Sequence, residues 1–152
     1  MNYRKVISTL GIMMVLLGVS MMFPLVWSLY YGDSDWWSFL VTGLCTMFIG
    51  IFAHKTTGLE GTFHNKEAFV VVTFSWLLSS TFGAIPYLLS GTFTSFADAF
   101  FETMSGFTTT GASVLTNIEA LPHGVLFWRS LTHWLGGMGI IVLFVAILSS
   151  LG

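Results

Sequence analysis

Phe107-Thr108-Thr109-Thr110-Gly111-Ala112-Ser113 is a run of small, hydroxyl-bearing residues around one glycine, set in a chain that is otherwise apolar. Backbone that leaves regular structure at membrane depth survives only where protein buries it or where it lines a water-filled path. A loop whose carbonyls cannot pair within a helix can offer them to a dehydrated cation in place of water. Gly111 lets the chain take backbone angles that a β-carbon resists. Threonine and serine hydroxyls add neutral oxygens that need no charged partner. Cation coordination is the chemistry this stretch suits.

Other groups nearby invite chemistry of their own. Gly106-Phe107-Thr108-Thr109-Thr110-Gly111 has the glycine spacing of a phosphate-binding loop, but Ala112-Ser113 stand where Lys-Ser/Thr is needed, and no strand precedes it. Glu102 and Asp98 lie upstream of the loop; a carboxylate at this depth is either functional or a structural acid held behind the loop by hydrogen bonds. Arg129 is either an interfacial residue that snorkels or a buried partner for one of these acids. His133 shares a helix face with Arg129 and reads as a packed hydrogen-bonding residue, whereas His123 reads as exposed. No His, Cys and carboxylate cluster has metal-ligand spacing, and no Ser–His–acid pattern has a setting. No cofactor and no covalent catalysis are therefore expected. Cys45, in an apolar run, reads as a small buried hydrophobe.

The elements that must position the loop follow from composition. Of 152 residues only 8% are charged, against about 25% in a soluble domain, so this is an integral membrane protein whose surroundings are the lipid bilayer. The net charge of −2 gives no reason to expect a nucleic-acid partner. Spans of roughly 20 apolar residues are expected from about Val6 to Tyr31, Trp36 to Ala53, Ala68 to Ser90 and Val125 to Leu151. The first is too long for a signal-peptide core and lacks a small-residue cleavage site, so it is read as retained. Trp27, Tyr30, Tyr31, Trp36 and Trp37 gather around one short connection, as an interfacial belt would. Arg4, Lys5, Lys55 and Lys66 fall on one side and Asp33 and Asp35 on the other. The positive-inside bias thus places the N-terminus, the 54–67 connection and the end of the fourth span in the cytoplasm. Arg129, at the outer end of the fourth span, is the exception.

Gly91 to Gly124 starts and ends outside. Ser95-Phe96-Ala97-Asp98 fits a capping box, and residues 96–107 suit a helix of roughly 18 Å, too short for a core of about 30 Å. Gly106 has the position of a helix stop. A half-helix is expected to dip in from outside, the chain to turn at Thr108–Ser113, and Val114–His123 to climb back out. Its C-terminal end, with about half a negative charge, would face the membrane interior and favour cations.

From Asp98 through Ser113, then Leu121-Pro122-His123, Phe127-Trp128-Arg129 and Trp134 through Leu143, the chain strongly resembles the first pore loop of the bacterial TrkH/KtrB potassium-uptake family, and its TrkH branch in particular. The resemblance implies four repeats in one chain, each a helix, a re-entrant pore loop and a second helix, around one pore. It also implies potassium as cargo, a homodimer, and a cytosolic nucleotide-binding regulatory subunit. Carried over by position, Thr109, Thr110, Gly111, Ala112 and Ser113 match the first filter strand, with Thr110 and Gly111 at the potassium site and Asp98, Glu102 and Arg129 as loop support. Glycine at position 111 matches family members that strongly prefer potassium.

The expected fold is thus an all-α membrane protein of four transmembrane helices plus one re-entrant pore helix and filter loop. Two leading helices fill 1–60 and the helix–pore loop–helix repeat fills 61–152, with the pore helix at about 96–107 and the filter at 108–113. One repeat is present where the family has four, which suggests the N-terminal portion of a longer chain that would not conduct alone. The expected function is potassium transport across a bacterial inner membrane. A secondary cation transporter, whose broken helices also present their ends to ions, and a non-conducting assembly module are the rival readings.

Overall fold

The computed structural model describes residues 3–57 and 65–151, with side chains described over 3–57 and 67–139. The described chain is helical, with no strand: α1 Tyr3–Ser20, α2 Met22–Tyr31, α3 Trp36–Thr57, α4 Asn65–Leu89, α5 Phe96–Phe107 and α6 His123–Leu151. The expected division at 60–61 falls outside the described residues. Among the described residues, three stretches are long and apolar enough to cross a membrane, namely Tyr3–Tyr31, Trp36–Thr57 and Glu67–Leu89. α6 continues for 29 residues, enough for the fourth span.

The first expected span is two helices. Pro24 carries no amide hydrogen and its ring crowds the carbonyl four residues back, at Ser20, where α1 ends. The rod continues only through Met21, whose amide bonds the Leu17 carbonyl at 3.2 Å. Glycines bring α1 against α3. Gly11 faces Gly50 and Gly18 faces Gly43, and a β-carbon on Gly11 would lie 2.6 Å from the Gly50 carbonyl oxygen. Small residues of this kind let membrane helices approach closely where no water drives them together. Exposed aromatic and aliphatic residues cover the outside, Phe48 and Phe69 among them.

Trp128 is the centre of the packing. It is fully buried, donates its indole N–H to the Gly83 carbonyl of α4 at 2.9 Å, and meets Phe39 of α3 and Phe107 of α5 edge-on. Glycine at 83 makes room for Thr103, Phe107 and Trp128 together.

α5 spans residues 96–107, as the sequence suggests, and runs alongside α6. Glu102 meets Arg129, Gly106 packs on Thr132, and the Phe107 backbone lies against Gly136. Since α6 begins at His123 and Gly136 is about halfway along it, the C-terminal end of α5 is level with the middle of that helix. The chain then returns to His123, at the end it came from. The return path, 109–122, is irregular and not strand-like. Most of its residues are exposed, and it is tied to α5 through Ser105 and Glu102.

One local expectation changes. Ser95 is the N-cap by backbone conformation, yet its hydroxyl makes no cap hydrogen bond. The carboxylate of Asp98 is exposed in the first turn, where it suits the positive end of the helix. Gly106 does lie at the helix end, one residue before the last residue of α5, Phe107, and the absence of a side chain there also lets Thr132 of α6 pack close.

Candidate functional site

α5 ends in a paired cap. The Thr109 amide bonds the Gly106 carbonyl at 2.9 Å and the Thr110 amide bonds the Ser105 carbonyl at 3.0 Å. This is the two-bond C-terminal motif that normally places glycine in the left-handed position. Here Thr109 occupies it, at φ 56°, and Gly111 takes a second left-handed conformation at φ 76°. Left-handed angles at 109 and 111 throw the backbone off any regular ladder. Among the described residues, the Thr109, Thr110 and Gly111 carbonyls accept no hydrogen bond. All three residues are exposed.

The rest of the loop is tied down. The Ser105 hydroxyl donates to the Ala112 carbonyl at 2.7 Å. Of the five residues matched to the filter strand, Ala112 is therefore the one whose oxygen turns toward α5. The Ser113 hydroxyl contacts both carboxylate oxygens of Glu102, at 3.0 and 2.9 Å, and the Val114 amide donates to the same group at 3.1 Å. Arg129 Nε completes the set at 2.7 Å. The Glu102 side chain is fully buried, and its charge is matched by one guanidinium and two local donors. An acid left unpaired at such a site would be costly. Arg129 is thus a buried-face partner, not a free snorkeller. Asp98, exposed on the first turn, takes no part in this cluster.

Thr108 closes the near side. Its hydroxyl bonds the Met104 carbonyl at 2.8 Å and lies 2.9 Å from the Thr110 hydroxyl. Gly136, which could have been a bending point, is a close-packing residue: a β-carbon there would collide with the Phe107 carbonyl. His133 Nδ1 lies 2.9 Å from the Arg129 carbonyl, one turn back on the same helix. His123 is not merely exposed, since its ring stacks on Tyr31 with centroids 3.9 Å apart and bonds Asp33. Cys45 is exposed on the outer face of α3, contrary to the buried position expected. No group of three or more His, Cys, Asp or Glu suited to a metal occurs among the described residues. What the arrangement offers chemically is a short run of uncommitted neutral oxygens at the negative end of a half-helix.

Sequence reasoning did not see the left-handed Thr109, the Ser105–Ala112 bond, or the contacts of Asp33 with His123. A β-branched residue carries no sign of a left-handed angle, and 90 positions separate Asp33 from His123.

A profile for the TrkH family, described as a cation transport protein, matches residues 39–152. The Trk system potassium uptake protein TrkH of Salmonella typhimurium is 37% identical over 154 residues, covering 100% of this chain. An uncharacterized cation transporter of Methanocaldococcus jannaschii is 35% identical over 151 residues, covering 99% of it. The crystal structure of the potassium transporter TrkH from Vibrio parahaemolyticus aligns with a TM-score of 0.92 at 35% identity over 97% of this chain. In each case the chain spans 32% of the relative's length. The half-helix, its left-handed cap and the buried acid behind it sit in a chain aligned end to end with such transporters, and the chain belongs to the TrkH family of cation transport proteins.

Proposed function

We propose that this chain lines part of a potassium pathway, as the N-terminal portion of a Trk-type channel or uptake protein, and that residues 109–113 form one strand of its filter. The observation that carries the reading is the set of uncommitted carbonyls at Thr109, Thr110 and Gly111, placed at the C-terminal end of a half-helix that stops level with the middle of α6. Carbonyls of this kind replace the hydration shell of a potassium ion, and the helix end adds a partial negative charge. Thr110 and Gly111 are the central potassium contacts. Ser113 contributes through its backbone, with its hydroxyl held by Glu102. No cofactor and no covalent step are involved.

The same proposal treats α1–α3 as a leading unit and residues 61–152 as one helix–pore loop–helix repeat. It puts the protein in a bacterial inner membrane with its N-terminus and the 54–67 connection in the cytoplasm, supported by the basic residues on that side. Pairing with a second copy and regulation by a cytosolic nucleotide-binding subunit rest on family membership.

The test uses two glycines that share a backbone conformation. Gly111 at φ 76° and Gly91 at φ 75° both leave open space where a β-carbon would go, so serine strains the backbone alike at each. Cation flux is measured in cells expressing the complete gene product. Gly111→Ser is expected to lower the potassium-over-sodium preference about tenfold or more, through altered cavity size or carbonyl field, while Gly91→Ser leaves it unchanged. Equal preference in the two variants would remove the reason for calling this loop a filter.

A further inference from the structure

The leading helices grip the start of α6 in a way that the filter reading does not use. Asp33, in the turn between α2 and α3, accepts the His123 backbone N–H at 2.8 Å and lies 3.0 Å from that residue's Nδ1. The Tyr31 ring stacks flat on the imidazole, with planes 6° apart. Asp35 is buried; one oxygen accepts the Ser28 hydroxyl, and the other faces Gly124, where a β-carbon would lie only 2.9 Å away. Further along, Trp27 meets Phe127 at 5.4 Å and Phe39 meets Trp128 at 6.5 Å. The first two turns of α6 are held from one side, and Arg129 follows directly on Trp128.

Carboxylates beside the first amides of a helix favour its positive end and fix where the helix begins. The height and rotation of α6 decide where Arg129 Nε meets Glu102, and Glu102 in turn holds the Ser113 hydroxyl and the Val114 amide. The geometry points to the Asp33–Tyr31–His123 latch as a positioning device for the filter: the leading pair sets the start of α6 and, through Arg129 and Glu102, the course of the loop beyond Gly111. Asp33 and Tyr31 are positioning residues, remote from the ion. The inference rests on residues 109–113 being the filter.

The experiment measures potassium-over-sodium preference and membrane abundance of the complete gene product in cells. Asp33→Leu removes the acceptor, and Asp33→Asn keeps an oxygen for the His123 amide. Asp33→Leu is expected to lower the preference about threefold to fivefold, the scale of one helix-terminus interaction, at normal abundance, with Asp33→Asn recovering most of it. Added to Glu102→Gln, Asp33→Leu should bring no further loss, since contacts in one chain are not additive. Ser8→Ala, which breaks the Ser8–His54 bond between α1 and α3, should leave the preference alone. If Asp33→Leu does not reach the membrane, Tyr31→Leu, which loses only the stacking, takes its place with the same expectation. Wild-type preference in the latch variant, full additivity with Glu102→Gln, or Asp33→Asn as defective as Asp33→Leu would each overturn the latch. Gly111→Ser shifting the preference while the latch variant does not defeats the latch alone; Gly111→Ser without effect defeats the filter reading and the latch with it.

Discussion

Thr109 holds a left-handed backbone angle that a β-branched residue resists, at the position where helix ends normally carry glycine. Conformations of this kind cost on the order of 1–2 kcal/mol and persist where surrounding contacts over-determine them. Here the two cap bonds do so. The Thr109 hydroxyl donates to the Thr108 carbonyl at 2.7 Å, so on the proposed reading it is the strained backbone, with its free carbonyl, that would serve the ion path. Thr109→Gly is therefore expected to raise thermal stability by up to about 1 kcal/mol, the relief being partly offset by glycine's greater freedom in the unfolded chain. The same change should lower potassium-over-sodium preference. Melting of the purified protein and cation flux in cells read the two effects, and an unchanged preference would leave the strain without a function. The contrast with Gly111 and Glu102 shows what was legible from residues alone. Glycine announces a left-handed angle, and an acid at membrane depth demands a partner; threonine does neither.

At the scale of elements, the seam between α5 and α6 is where backbone meets backbone. Gly106 accommodates Thr132 and Gly136 accommodates the Phe107 carbonyl, so two glycines on opposite helices set the depth and tilt of the half-helix. A methyl group at Gly136 has no flexible side chain to push aside and must move α5 itself. Gly136→Ala is expected to destabilise by about 1–3 kcal/mol, as overpacking does, and to impair selectivity. Gly139→Ala, with nothing within 4 Å among the described residues, should be neutral or slightly stabilising because alanine favours a helix. Thermal melting of the two variants compares them directly; equal stability would mean that α5 and α6 are not seated on each other at Gly136. The limits of α5 were readable because a short apolar run lay between Ser95 and the threonines. The break between α1 and α2 was less so. Proline is common in membrane helices, and only the position of Ser20 relative to Pro24 marks where the carbonyl is displaced.

Across the whole molecule, contacts at the two ends of the helices divide the labour. At one end the 32–35 turn, the start of α6 and the return of the loop come together through Asp33, Asp35 and His123. At the other, Ser8 and His54 join α1 to α3 at 2.8 Å beside Lys55. The all-helical membrane fold was legible because apolar length alone dictates helices in lipid. The union of residues 33 and 123 was not, because nothing local in either segment encodes a partner so distant in sequence. If the basic residues face the cytoplasm, the end that carries Asp33 must face outward, with the entrance to the loop beside it. Single cysteines at positions 33 and 55 test this with a membrane-impermeant thiol reagent. The natural Cys45 is exposed on α3, so Cys45→Ser must be the background. Asp33→Cys is expected to react in intact cells and Lys55→Cys only after permeabilisation. Reaction of Lys55→Cys in intact cells, with Asp33→Cys reacting only after permeabilisation, would reverse the assignment of the entrance and place the half-helix in the cytoplasmic half of the bilayer. Reaction of both from the same side would mean that α3 does not cross between them.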